Sequence, residues 1–325
     1  MKMFARLALA GAVTAAFALP AMAQTKWDMP TPYADGNFHT QNIAKFAEDV
    51  KAKSGGKLEI TVHSNGSLIK HPEIKNAVRG GQAQIGEFLL SRLSNESPVF
   101  GVDSVPFLAN SYDAAAKLWK ASRAKTEELL AAQGLMVLYA VPWPPQGVYA
   151  KKELNSADDL KGLKFRAYNA ATERLAQLAG GVPTQVEVPD LPQAFATGRV
   201  DAMITSPSTG ANSKVWDYLT HYYDAQAWLP KNIVVVNKDA FDALDDAAKA
   251  AVLEAAKDAE ARGWDASKAE TTEKTKVLSD NGIKVAAPSE ALAKSLQDIG
   301  ATMTEEWLKD AGADGKAIVD AYKSM

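Results

Sequence analysis

Near the middle of the chain five residues, Trp143-Pro144-Pro145-Gln146-Gly147, can continue neither a helix nor a strand. Proline lacks the N–H that both kinds of ladder use, and two in succession hold the backbone to an irregular path. The same rhythm runs on both sides of this break: short apolar or β-branched stretches alternate with amphipathic helical ones. A β-α-β-α series implies a largely parallel sheet flanked by helices. The chain is therefore read as two α/β lobes joined by a crossover at the prolines.

Before the break, Lys26 to Met29 is strand-like and ends at Pro30. Ile43, Phe46, Ala47 and Val50 recur at the spacing of one buried helical face, and Gly55-Gly56 stops that helix. Leu58 to Val62 alternates as a strand, a short helix covers Glu73 to Val78, and Gln84-Ile85-Gly86 reads as a short buried strand. A long helix follows from Tyr112 to Gln133, then an apolar strand from Leu135 to Val141. After the break, strands are predicted at Lys164–Ala167, Thr184–Val188 and Asp201–Ile204, with helices at Ala170–Leu178 and Leu191–Ala196. Ile233 to Val236 is β-branched enough for a central strand that returns to the first lobe. From Phe241 to Ser279 the chain is rich in Ala, Glu and Lys and only Gly263 interrupts it. Such a helix reaches ~55 Å at 1.5 Å per residue. It is expected to lie along both lobes, with a kink at Gly263. The division predicted is 24–143 plus 232–271 for the first lobe and 144–231 plus 272–325 for the second.

The first 23 residues have a different character. Lys2 and Arg6 precede an acid-free apolar run from Leu7 to Leu19, and Ala21-Met22-Ala23 offers a small-residue cleavage site. This is the pattern of a secretory signal, with a middle too short to span a bilayer. No later segment is apolar enough to do so, and the mature chain is expected to begin near Gln24. The formal net charge of −3 argues against a nucleic-acid partner, which would call for a concentrated basic face. An exported chain without cysteine has no disulfide scaffold, thiol nucleophile or thiolate metal site.

One internal echo bears on the site. Ala77-Val78-Arg79-Gly80-Gly81-Gln82-Ala83-Gln84-Ile85 aligns with Ala194-Phe195-Ala196-Thr197-Gly198-Arg199-Val200-Asp201-Ala202. Each reads as a helix end, a glycine stop, a polar turn and a buried strand. Ligands of open α/β sheets sit beyond the carboxyl ends of strands. Glu87-Phe88 and Thr205-Ser206, just past the two predicted strands, are thus candidates for opposite walls of one cleft.

Few residues are spaced for reaction chemistry. His39, His63, His71 and His221 stand too far apart for a metal pair at helical spacing, and there is no phosphate loop or nucleophile elbow. Ser122-Arg123-Ala124-Lys125 matches a bare S-x-x-K, but its companion elements are missing. Asp158-Asp159 and Asp245-Asp246 fall at helix starts, where carboxylates cap. Arg166 is different, since it lies within a strand between Phe165 and Ala167. An arginine so placed is commonly exposed or paired with a structural carboxylate. Alternatively, its planar fork receives a ligand carboxylate through two parallel charge-assisted bonds.

Taken in order, the Gly162-Leu163-Lys164-Phe165-Arg166 strand, the Gly198-Arg199-Val200-Asp201-Ala202 element, Val105-Pro106-Phe107-Leu108 before the Tyr112 helix, and the long late helix resemble a known family. The chain is similar over its mature length to the solute-binding proteins of tripartite ATP-independent periplasmic (TRAP) transporters. That resemblance implies an α/β periplasmic binding protein fold of two lobes, each a mostly parallel sheet flanked by helices, with a long helix spanning both. It also implies a periplasmic protein, not an enzyme and without a cofactor, that closes on an organic acid and delivers it to the TRAP membrane permease subunits. Arg166 falls on the family's carboxylate clamp, and Asn169 and Thr205 or Ser206 on other ligand-facing positions. Gln146 stands where the family often has a further arginine, which disfavours ligands that need two. Trp143, Phe88, Phe38 and Tyr168 are expected beside the cleft, suiting a monocarboxylate with an apolar or aromatic body, or a 2-oxo or 2-hydroxy acid. Glu87 is read as a polar contact or as the partner of Arg166 or Arg92, and His39 is expected at the surface. Two alternatives stand beside this reading: a receptor for an ATP-driven importer or a sensor, and a periplasmic hydrolase.

Overall fold

The computed structural model describes residues 24–325, so the predicted signal segment lies outside the described residues. The first lobe opens with β1 (Thr25–Pro30), α1 (Phe38–Lys53), β2 (Leu58–His63), α2 (Ile74–Arg79), β3 (Ile85–Leu89), α3 (Tyr112–Ala131) and β4 (Leu135–Pro142). The second contains β5 (Gly147–Ala150), β6 (Lys164–Ala167), α4 (Ala170–Leu178), β7 (Val182–Gln185), α5 (Leu191–Ala196), β8 (Ala202–Thr205), α6 (Pro207–Asn212) and β9 (His221–Tyr223). Then come β10 (Lys231–Asn237), α7 (Lys238–Asp242), α8 (Asp246–Asp280), β11 (Lys284–Ala286) and α9 (Glu290–Lys323).

β1 pairs in parallel with β2, and a second sheet of the first lobe has the order β3-β10-β4. The second lobe is built on a six-stranded sheet, β11-β9-β5-β8-β6-β7. Each lobe contains one strand running against the rest: β10 is antiparallel to β3 and β4, and β5 is antiparallel to β8 and β9. The reversed strands are the two that have just crossed between lobes, β5 after residues 143–146 and β10 after residues 224–230. Each enters its sheet from the neighbouring lobe, so it runs opposite to strands that start within their own lobe. Buried residues of both lobes and the crossovers, from Phe46 and Val234 through Trp143 and Trp228 to Val148 and Phe165, form one continuous apolar cluster.

The echo is real in three dimensions. Gln82 N–H donates to Ala77 O at 2.9 Å and Arg199 N–H to Ala194 O at 2.8 Å, with Gly81 and Gly198 both at positive φ. The strands that follow differ in length. β3 continues to Leu89, whereas the sequence reading ended it at Gly86.

The late helix needs correction in two places. Phe241 belongs to the separate α7, and α8 starts only after Asp245, whose carboxylate accepts from Ala248 N–H at 2.7 Å. Gly263 causes no break. A Cβ there would lie 2.4 Å from Val141 Cγ2 and 2.8 Å from Asn42 Nδ2, so glycine lets α8 approach β4 and α1. α8 also packs on α6 and β11, and so runs along both lobes. A final helix, α9, went unforeseen. It packs on α4 in the second lobe and α3 in the first, and it bends at Gly312. Beyond that bend Ile318 packs with Val99, Val102 and Leu118, among first-lobe helices rather than in the second lobe, where the sequence reading put these residues.

Candidate functional site at the junction of the lobes

A cavity lies where the lobes meet. The first lobe contributes Tyr33, His71 and Leu89 to it; the second contributes Arg166, Tyr168, Glu187, Val188, Thr205, Ser206 and Thr209. The crossovers add Trp143, Gln146 and Pro230.

Arg166 defines the site. It is 2% exposed, in β6 beside β7 and β8. Its Nε–H donates to Val186 O at 2.9 Å, and its Cζ stacks 4.6 Å from the centre of the Tyr168 ring. Among the described residues no carboxylate lies within salt-bridge distance of the guanidinium. Burial pulls its pKa down to about 10, opposed by Tyr168 and Glu187, so the group remains a cation at neutral pH. A buried, hydrogen-bonded but unneutralised cation beside a cavity is primed for an anion.

Tyr168 is fixed from behind. Trp228 Nε1–H donates to its hydroxyl at 3.2 Å, the hydroxyl donates to Gln146 Oε1 at 3.0 Å, and Gln146 Nε2 donates to Pro144 O at 2.8 Å. Gln146 therefore brings no charge to the wall and holds the ring under Arg166. Trp143 Nε1–H and Tyr33 O–H both donate to Asn232 Oδ1, at 2.9 and 3.2 Å, which fixes two aromatic walls. Ser206 is at the N-cap of α6 and accepts from Thr209 N–H at 3.0 Å.

Five of the nine predicted site residues meet here: Trp143, Gln146, Arg166, Thr205 and Ser206. The other four do not line the cavity. Asn169 caps α4 and donates to Ser91 Oγ at 2.8 Å, in a neighbouring interlobe groove. Because β3 extends to Leu89, it is Leu89 that reaches the wall, while Phe88 points to the opposite face and packs with Ile74 and Val78. Glu87 is buried behind the wall, where it accepts from Thr31 Oγ at 2.8 Å. It pairs with neither Arg166 nor Arg92. Phe38 sits in the core, 5.4 Å edge-on from Trp143. His39 is fully buried rather than exposed, against Phe38 and Trp143. Its Nδ1 is 3.3 Å from Glu87 Oε1 but outside hydrogen-bond geometry. The S-x-x-K serine is spent inside α3, where Ser122 Oγ donates to Leu118 O.

Sequence reasoning missed the acid of the site, Glu187. Arg92 Nη1 donates to its Oε1 at 2.7 Å and His71 Nδ1 donates to its Oε2 at 3.0 Å. The His71 tautomer follows from Leu89 N–H, which donates to Nε2 at 3.2 Å and leaves Nδ1 to carry the proton. Arg92 also donates to Tyr168 O at 3.1 Å, so these bonds tie the first lobe to the second at the cavity rim. Burial alone would raise the Glu187 pKa, but His71, Arg92 and Arg166 outweigh it and bring it to about 2. Burial also lowers His71, against the pull of Glu187.

Both groups hold protons less tightly in the fold than in the unfolded chain, so their stabilisation is complete at high pH and falls on acidification. The His71 contribution declines as pH drops below its ordinary 6.5, and the Glu187 contribution declines between 4.5 and about 2. The Glu187 shift corresponds to about 3 kcal/mol. Melting temperatures of the parent should fall more steeply from pH 7 to pH 3 than those of Glu187→Gln. Parallel curves would show that the bonds of Glu187 to Arg92 and His71 contribute nothing.

The profile described as Bacterial extracellular solute-binding protein, family 7 (DctP) matches residues 31–310. The chain is 48% identical to DctP6, a Bordetella pertussis extracytoplasmic solute receptor binding pyroglutamic acid, with a TM-score of 0.91 over 93% of this chain and 100% of that one. It is 51% identical to DctP7 of the same organism, also binding pyroglutamic acid, with a TM-score of 0.90 over 92% and 99% of the two chains. A marine metagenome TRAP solute-binding protein specific for pyroglutamate is 48% identical, with a TM-score of 0.91 over 93% and 100%. This chain belongs to bacterial extracellular solute-binding protein family 7, the solute receptors of TRAP transporters.

Proposed function

We propose that this receptor captures a cyclic monocarboxylate, pyroglutamate above all, by closing its lobes around the ligand. Pyroglutamate carries one carboxylate, one ring N–H and one ring carbonyl, within a small body that suits walls of Trp143, Tyr33 and Leu89. The observation that carries the reading is Arg166, buried beside the cavity with no carboxylate partner among the described residues. The ligand carboxylate supplies the missing charge through two parallel bonds. Closure removes water from both ions, which is tolerable once they are paired. The neutral Gln146 leaves one clamp rather than two, which favours a monoanion over more acidic ligands. The pyroglutamate receptors at 48–51% identity support the same choice. On this reading the chain is exported to the periplasm by its first 23 residues, leaves its ligand chemically unchanged and hands it to the TRAP permease.

Calorimetry and thermal shift with pyroglutamate, glutamate, glutarate, a sugar acid and an aromatic acid test the assignment. A ligand bound by the folded form alone at a hundred times its Kd stabilises by about 2.7 kcal/mol. Pyroglutamate should give the largest rise in melting temperature. A rise with a sugar acid or dicarboxylate and none with pyroglutamate would sink the reading.

A further inference from the structure

We propose that Glu187 selects the ligand by accepting a hydrogen bond from its ring N–H, so that the site prefers lactam acids to the matching lactones and to dicarboxylates. The inference rests on the carboxylate-clamp reading above. Glu187 is the only acid among the described residues that line the cavity. The Nε of Arg166 is held by the carbonyl of Val186, the residue before Glu187, so cation and anion are fixed by one short segment. Arg92 and His71 reach the two carboxylate oxygens from the other lobe and set their direction once the lobes meet. Those bonds also keep the group ionised and hence an acceptor with no proton to give.

A carboxylate offers about four acceptor positions. Arg92 and His71 use two, and Gln185 Nε2 is at the 3.5 Å limit from Oε1. Acceptor capacity therefore remains for a ligand. The neighbouring polar groups are largely committed: Gln146 to Tyr168 and Pro144, Tyr33 to Asn232, and Ser206 to Thr209. A ligand whose carboxylate pairs with Arg166 and whose ring N–H donates to Glu187 completes the site. A ring oxygen at that point would set lone pairs against the carboxylate, and a second ligand carboxylate would be repelled outright.

The test uses calorimetry on the full chain with L-pyroglutamate, its lactone counterpart 5-oxotetrahydrofuran-2-carboxylate, and glutarate. A hydrogen bond to a charged acceptor makes the parent favour lactam over lactone by about 10- to 100-fold. Glu187→Gln can turn its amide N–H₂ toward the ring oxygen, so the ratio should shrink to about threefold or less while glutarate binding improves. Arg92→Met loosens the tie between lobes but leaves the carboxylate, and should keep the lactam preference. If Glu187 served only that tie, its replacement would weaken both ring acids alike and leave the ratio intact, which would overturn the proposal. Equal affinities for lactam and lactone in the parent would overturn it too, with the pyroglutamate assignment still standing. Failure of the parent to bind pyroglutamate at all would remove both.

Discussion

Substituting Arg166 by lysine is expected to weaken carboxylate binding by about a hundredfold or more, although the positive charge is kept. The guanidinium has three engagements that an ammonium cannot reproduce together. Its Nε–H is tied to Val186 O, its plane rests on Tyr168 at 4.6 Å, and a guanidinium fork has two terminal nitrogens to offer a carboxylate as parallel donors. Each charge-assisted bond contributes about 1.5–3 kcal/mol, so losing the second bond and the alignment of the first accounts for the drop. Burial works in the same direction. It brings the arginine to about 10, still safely charged, whereas an ammonium starts lower, is more strongly hydrated and yields its proton more readily in such a place. Calorimetry at neutral pH on the lysine variant, with its ligand-free melting temperature as a control for folding, is the measurement. A Kd within threefold of the parent would mean that Arg166 does not clamp the ligand.

What the sequence conveyed, and what it withheld, follows from where the information resides. The break at Trp143-Pro144-Pro145 was legible because proline excludes both regular ladders locally; β4 ends at Pro142 just before it and β5 begins at Gly147 just after it. The Ala77 and Ala194 segments could be matched because each glycine turn is a local structure with its own hydrogen bonds. Arg166 stood out as a charge within a strand. Strand direction was not legible: nothing in Gly147–Ala150 or Lys231–Asn237 states that these strands run against their sheets, since that depends on which lobe the chain has just left. The end of β3 was misplaced because no proline or glycine marks Leu89, and with it Glu87 and Phe88 were expected two or one positions too early for the wall.

Glycine misled in the helices. Gly263 looks like a breaker in one dimension, but it sits where a Cβ would strike Val141. In α9 glycine acts both ways: Gly300 packs against Phe107 within the helix, whereas Gly312, at a φ of 54°, leaves the helical region and divides it. Glu187, His71 and Tyr33 belong to no motif. They come from two loops and a short 3-10 turn far apart in the chain, and only the docking of the lobes brings them to one cavity. His39 followed the same logic in reverse: a polar residue in the first turn of a helix reads as exposed until Trp143 covers it.

Replacing Asp103 by asparagine should destabilise the protein by about 3–5 kcal/mol, the usual result of stranding one member of a buried ion pair. Lys231, the first residue of β10, is 1% exposed, and its Nζ lies 3.7 Å from Asp103 Oδ2, itself in a side chain only 4% exposed. That oxygen also accepts Lys231 N–H at 2.8 Å, and Oδ1 accepts from Ser104 Oγ at 3.2 Å. Burial raises the carboxyl and lowers the ammonium despite their attraction, so each charge depends on its partner. Asparagine removes the counter-charge and leaves the ammonium buried, and the melting temperature should drop on the order of 5–10 °C. Adding Lys231→Met removes the stranded charge and should restore most of the loss, because an apolar side chain of similar length is tolerated where an unpaired ammonium is not. The position gives this pair its significance. Asp103 fixes β10 as the chain re-enters the first lobe, and through Ser104 it reaches Asn169 Nδ2 at 3.3 Å, across to the second lobe. A single variant melting within about a degree of the parent would show that the crossing is held by packing alone.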